Sequence, residues 1–317
     1  MTDTQNEVFK TPVNKIRLFE HGAPGSQNLK LTRKYYTEDM PDGRVKHIVQ
    51  NITDPDIVPY IPDGIGNSTD RQRISAVLII PGGAFRRLVY NFEGEDVAKW
   101  LNSMGIAAFV LECRLPSDEH DNAEDVPLID AMRAMRVIRG RAQEFGIDEA
   151  KIGVMGFSAG GFMAALLSTA YESDVYADYK YKDEYDKLSA RPDFAVCSYP
   201  VISIDDCIEA GKRYMSEEQV LERISDSKAK ILHKYNPDKL VRPDMPPVFI
   251  CETDDDRTTL SENSVGFYMA ARKAGVSAEL HIFRTGGHGY GCGDDFAQTG
   301  EWKVLFTKWI KSIGIIS

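Results

Sequence analysis

Eight short β-type runs separated by helical patterns constrain this chain more than any other feature. The runs are Val45–Val49, Ile57–Ile61, Ala76–Ile80, Ile106–Leu111, Ile152–Met155, Phe194–Cys197, Val248–Cys251 and Leu280–Phe283. Several are continuously apolar, which is the pattern of strands covered on both faces. Between them apolar residues recur with a period of 3.6. Val97, Trp100, Leu101 and Met104 form one stripe. Leu128, Met132, Met135, Ile138, Ala142 and Phe145 form another, and Trp302, Leu305, Phe306, Trp309, Ile310 and Ile313 a third. Strand and helix in alternation predict an α/β protein with a mostly parallel, twisted sheet of about eight strands and helices on both faces. Only Asn51–Asp56 separates the first two runs, which predicts an antiparallel start.

The chain has 317 residues, 43% of them hydrophobic, enough for one large domain with a full core. We expect an N-terminal arm over residues 1–43 and a single domain over 44–317. Two stretches break the rhythm, at about 171–192 and 203–247, and read as insertions at the C-terminal edge of the sheet. The net charge of −10 lacks the basic footprint of a nucleic-acid binder and disfavours anionic membranes. No apolar stretch is long enough to span a bilayer. Five cysteines with no C-x-x-C pair argue against a disulfide framework or structural zinc and fit a reducing, cytoplasmic setting.

Gly156-Phe157-Ser158-Ala159-Gly160 follows an apolar run and precedes a helix-forming segment. A sharp strand-to-helix turn at this place exposes a serine hydroxyl above the sheet and needs glycines where the backbone doubles back. It also aims the Ala159 N–H at a developing oxyanion. The competing reading is a plain serine N-cap. Pro81-Gly82-Gly83-Ala84-Phe85 follows another central run and suits the second half of an oxyanion hole. Gly82 and Gly83 are the expected donors, with Ala84 as substitute.

In the chain order nucleophile, acid, base, histidines before Ser158 are disfavoured. His233 lies in a polar insertion and His281 inside a strand. His288, in Gly286-Gly287-His288-Gly289, sits on a loop able to reach the nucleophile from the sheet rim. Three aspartates, Asp254, Asp255 and Asp256, follow one strand run and leave the acid ambiguous. They lack the alternating ligands and glycine of a calcium loop.

Together these motifs resemble the α/β-hydrolase family of bacterial sugar-ester esterases, acetyl xylan esterase-like and related carboxylesterases. The likeness rests on Leu78–Phe85, Glu93–Leu101, Gly105-Ile106-Ala107, Arg114-Leu115-Pro116, Asp130–Arg136, Ile152–Gly161, Tyr199-Pro200-Val201-Ile202 and Gly286–Gly289. It implies an α/β-hydrolase fold and a Ser158–His288–Asp256 triad, with Asp256 at the second position of the family's aspartate pair and Asp255 as the alternative. Thr259-Leu260 stands where Val-Pro is usual, Ala84 where a third glycine is usual, and Phe162 where histidine is frequent. The implied activity is hydrolysis of short acyl esters, acetyl in type, of a small molecule or a carbohydrate. Phe85 and Phe157 are expected to bind substrate and limit acyl length, and the tyrosines at 171–185 either stack on sugar rings or pack on the domain. No cofactor or metal is required. A peptidase or amidase with the same triad is the alternative, a non-catalytic binding protein the more distant one, and a homo-oligomer is left open.

Overall fold

The computed structural model describes residues 9, 13–65, 73–225, 230–293 and 297–317. Residues 1–8 and 10–12 of the expected arm and 226–229 of the second expected insertion lie outside the described residues. The described strands are β1 (Ile16–Arg17), β2 (Lys34–Asp39), β3 (Val45–Gln50), β4 (Asp56–Tyr60), β5 (Ile74–Ile80), β6 (Leu88–Val89), β7 (Ala107–Glu112), β8 (Ile147–Phe157), β9 (Ala195–Ser198), β10 (Val248–Thr253) and β11 (Ala278–Phe283). Eight form one sheet in the order β1-β4-β7-β5-β8-β9-β10-β11. From β7 to β11 every neighbouring pair is parallel; β4 runs antiparallel to β7, and β1 to β4.

All eight runs expected to be strands are strands, and β4 supplies the antiparallel start. The first two do not pair with each other, however. β3 joins a separate antiparallel sheet with β2 and β6. The local reason is the turn at Met40–Arg44, closed by the Met40 N–H on the Arg44 carbonyl at 2.8 Å. Its Asp42-Gly43 pair is a strong hairpin signal and gives β3 a nearer partner than β4. Asn51, with φ of 57°, then turns the chain away from β3.

The arm is therefore not a separate appendage. β1 extends the main sheet, and Leu18, Phe19 and Ala23 are buried in the core. The Leu18 carbonyl accepts from Arg133 Nε at 2.8 Å, and Ser26 Oγ from the buried Arg114 at 2.8 Å. The arm also covers His120, whose Nδ1 lies 3.0 Å from Ser26 Oγ and whose Nε2 has no partner among the described residues. Burial, aided by the Arg114 charge, pushes the His120 imidazole down to about 4. Its unfolded counterpart takes up a proton near pH 6.5, so this group withdraws stability as pH falls from there toward 4, by at most about 3 kcal/mol. Replacement by glutamine is expected to flatten that part of the Tm–pH curve; parallel curves for the two proteins would refute it.

Helices cover both faces. Asp96–Ser103 and Trp302–Ser312 meet through Trp100, whose ring lies 4.9 Å from Trp302 and 5.5 Å from Phe306. Val126–Gly140 and Ala159–Ala170 pack against each other in the second layer. All three apolar stripes lie on helices, the middle one interrupted at Arg141. Each fully buried Leu, Ile or Phe of these layers contributes about 1.5–3 kcal/mol through apolar area removed from water. Among the described residues no helix is long and apolar enough to cross a membrane.

The two insertions differ in position. Residues 203–247 follow the C-terminal end of β9, as expected, and carry the helices Ile204–Tyr214, Glu217–Ser225 and Lys230–Lys234. Residues 171–192 connect the end of helix Ala159–Ala170 to the start of β9, so the chain leaves and re-enters at the opposite edge. Four of their five tyrosines at 171–185 pack on the domain, and Tyr181 stays exposed. Tyr171 and Tyr176 are buried, Tyr179 and Tyr185 lie against the core, and Tyr179 Oη donates to the Gly22 carbonyl at 2.8 Å.

Candidate active site

Strands β5, β8, β10 and β11 end at the same edge of the sheet, and each hands over to one expected site loop. Ser158 stands between β8 and helix Ala159–Ala170 with φ of 54° and ψ of −118°, outside the regions a non-glycine residue favours. Such strain costs about 1–3 kcal/mol and persists only where the surroundings impose it. They do so here. The Ser158 N–H donates to the Ser198 carbonyl at 3.0 Å, and its carbonyl accepts from Phe162 at 3.0 Å. The flanking glycines are demanded by space. A Cβ on Gly156 would lie 1.9 Å from the Gly160 carbonyl oxygen, and one on Gly160 would lie 1.9 Å from that of Ile80.

His288 comes from the loop after β11 and reaches over this turn. Its Nε2 is 2.8 Å from Ser158 Oγ, and its Nδ1 is 2.7 Å from Asp256 Oδ2. With the proton on Nδ1, the ring donates to Asp256 and accepts from the serine hydroxyl. The imidazole side chain is 22% exposed and the Asp256 side chain not at all, so the base meets solvent while the acid does not. Burial would raise the Asp256 carboxyl. Hydrogen bonding and charge from His288, with the amides of Thr259 and Thr258, outweigh it and hold the group below the usual carboxylate range. Those amides reach Oδ1 at 3.0 and 2.7 Å.

The ambiguity among the three aspartates resolves in geometry. Asp255 accepts from the Gly287 and Gly286 amides at 2.8 and 3.3 Å, so it ties down the backbone of the histidine loop and leaves the ring to Asp256. Asp254 hydrogen-bonds through its amide to Phe283. His281 pairs with Glu279 on β11, away from the serine, and His233 lies on helix Lys230–Lys234.

The expected oxyanion donors are only partly placed as anticipated. The Gly82 amide donates to Glu93 Oε2 at 2.8 Å and is committed to that carboxyl, which corrects the assignment of Gly82. The Gly83 and Ala84 amides donate to no partner among the described residues, and the Ala159 N–H opens the helix beside Ser158. Of the expected donors, Gly83 and Ala159 are left unclaimed, with Ala84 as substitute.

The two phenylalanines also separate. Phe85 lies edge-on to the buried Phe162, ring centres 5.6 Å apart. It lines a cleft beside Gly82 and Ala159, together with Leu88, Leu115, Pro116 and Met163. Phe157 is fully buried and packs inward on Tyr199 and Trp302, so it supports the turn from below and touches no substrate. The reason is alternation along β8: the residue before the serine faces the opposite side of the sheet.

Sequence reasoning passed over three residues of the site. Thr259 Oγ1 donates to Asp256 Oδ2 at 3.0 Å and lies 3.2 Å from His288 Nδ1. Tyr199 holds a left-handed φ of 36° and lies edge-on to the His288 ring at 5.0 Å. Glu93 is buried, and that burial raises its carboxyl pKa. Nothing in the sequence singles out Glu93 from its acidic neighbours Glu95 and Asp96.

A model of the BD-FAE family matches residues 65–270. An acetylxylan esterase of Xylanibacter ruminicola is 31% identical over 240 residues, covering 75% of this chain and 45% of that protein. The chain spans less than half the length of the curated relatives it matches. Among solved structures, an acetyl ester-xyloside bifunctional hydrolase from Caldicellulosiruptor lactoaceticus is 34% identical. It superposes with a TM-score of 0.70 over 96% of this chain and 97% of that one. The carboxylesterase Cest-2923 of Lactobacillus plantarum, at 19% identity and a TM-score of 0.66 over 90% and 99%, shares the fold. The architecture is that of the α/β-hydrolases.

Proposed function

The chain belongs to the BD-FAE family, and on that premise we propose that it is a serine carboxylesterase acting on short acyl esters, acetyl above all, of carbohydrates. The observation that carries this reading is the unbroken relay from Asp256 through His288 to Ser158, with contacts of 2.7 and 2.8 Å. In the proposed cycle His288 Nε2 takes the Ser158 proton as Oγ attacks the ester carbonyl carbon. The resulting oxyanion accepts hydrogen bonds from the Gly83 and Ala159 amides. His288 then gives its proton to the departing alcohol oxygen, leaving an acyl-serine. Water, deprotonated by the same imidazole, attacks the acyl carbon; the acyl–Oγ bond breaks, the imidazolium returns its proton to Ser158 Oγ and the acid is released.

Bulky Phe85, edge-on to Phe162 and beside Gly82 and Ala159, supports a small acyl group. The carbohydrate side rests on the names of relatives, an acetylxylan esterase and an acetyl ester-xyloside hydrolase. Five cysteines, four of them buried, favour a reducing compartment. The test is acetate release from acetylated xylan, with p-nitrophenyl acetate and octanoate compared alongside. We expect kcat/KM for acetate to exceed that for octanoate by at least about 100-fold, the scale on which a pocket discriminates added methylenes. Equal rates or a preference for octanoate would overturn the small-acyl reading, and no acetate release from any ester would overturn the esterase.

A further inference from the structure

Outside the triad, one buried acid touches both loops on which the proposed chemistry depends. Glu93 lies in the π-helical turn Asn91–Glu95, which opens helix Asp96–Ser103. Irregular turns of this kind recur at functional sites. Its two oxygens point in different directions. Oε2 accepts from the Gly82 amide at 2.8 Å, and Oε1 accepts from Tyr199 Oη at 2.9 Å. Tyr199 Oη in turn accepts from the Gly291 amide at 3.0 Å, three residues beyond His288. No lysine or arginine forms an ion pair with Glu93 among the described residues, so ion-pair stability does not account for its burial.

Gly82 is the link to the nucleophile. A Cβ there would stand 2.7 Å from Glu93 Oε2 and 2.9 Å from Ser158 Cβ, so its main chain is held between carboxyl and serine. Glu93 fixes the peptide on one side of Gly82 through its amide, and the Val89 N–H, donating to the Gly82 carbonyl at 2.9 Å, holds the next peptide, so the two together set the direction of the Gly83 N–H. At the other oxygen, Tyr199 places its ring edge against His288 and anchors the far side of the histidine loop.

We infer that Glu93 is a positioning residue: one buried carboxyl clamps the oxyanion loop through Gly82 and the histidine loop through Tyr199 and Gly291, fixing donor and base relative to Ser158. The role rests on the esterase reading above and acts through hydrogen-bond geometry. Since misplacing catalytic groups by about 1 Å costs about 100-fold in rate, the clamp has a measurable share to lose.

The test uses p-nitrophenyl acetate, with kcat normalised to active sites titrated by an organophosphate so that misfolded protein does not count. Turnover by the unaltered chain and its loss in Ser158→Ala tests the esterase reading by itself. The clamp is read from the variants. Glu93→Ala is expected to lower kcat about 50-fold with KM within about 3-fold. Glu93→Gln, whose amide oxygen still accepts from Gly82, should recover to within about 5-fold of the unaltered enzyme with an unmoved kcat/KM–pH profile. Tyr199→Phe keeps the ring beside His288, cuts the tie to Gly291 and should lower kcat about 10-fold; it serves if Glu93→Ala does not fold. Unchanged kcat in Glu93→Ala or Tyr199→Phe would overturn the clamp. So would Glu93→Gln as impaired as Glu93→Ala, or recovery with a shifted pH profile, since either means that charge and not geometry is what Glu93 supplies.

Discussion

Ser158→Ala is expected to lower kcat on acetyl esters about 10⁶-fold, the loss seen when the nucleophile of such a triad is removed. The variant keeps everything else in place. The left-handed φ of 54° at this position is imposed by the Ser198 and Phe162 hydrogen bonds, both made by the main chain and available to alanine. The glycines that admit the turn are untouched. Melting temperature should therefore stay within about 2 °C of the unaltered protein, since among the described residues the hydroxyl's side-chain partner is His288. Circular dichroism melts and steady-state rates, taken on one preparation, check both halves. A residual rate above a hundredth of the original would mean that another group performs the attack.

Asp256→Asn is expected to lower kcat about 10⁴-fold with little change in KM. The size follows from which way the amide must face. Oδ1 of Asp256 accepts from the Thr258 and Thr259 amides, and those N–H groups will keep an oxygen on their side. The asparagine NH₂ then points at His288 Nδ1. A donor facing Nδ1 forces the ring proton onto Nε2, the nitrogen that has to accept from Ser158. The serine then loses its base although every heavy atom keeps its place. The matching change Asp255→Asn leaves the relay intact and loosens only the backbone ties at Gly286 and Gly287, so its kcat should fall less than about 10-fold. Equal losses in the two variants would show that the acid has been misassigned.

Much of this arrangement was legible before any coordinates. The G-x-S-x-G turn, the run before it and the glycine-rich loop of His288 each carry a local physical demand, and such demands survive into the fold. The eight runs became strands because their apolar stretches are matched to burial on both faces. What escaped was set by pairing between distant segments. The Asp42-Gly43 turn recruits β3 to a second sheet, and β1 then fills the edge that β3 left. Gly82 looked as suitable an oxyanion donor as Gly83, because composition does not reveal that a glutamate eleven residues on claims its amide. Phe157 appeared to flank the substrate because it adjoins Ser158 in the chain, yet the strand pleat turns it into the core. Tyr199 and Thr259 were invisible for the same reason: their roles come from what strands β9 and β10 bring beside them.

The proposal stands or falls on Ser158 being the group activated by His288. The most direct measurement is reaction with an organophosphate ester, followed by peptide mapping of the labelled protein in the unaltered chain and in His288→Ala. The account predicts one label per chain, on Ser158, with loss of esterase activity in proportion to labelling and labelling slowed at least about 1000-fold in the variant. Label on a different residue, or esterase activity that survives complete labelling of Ser158, would contradict it.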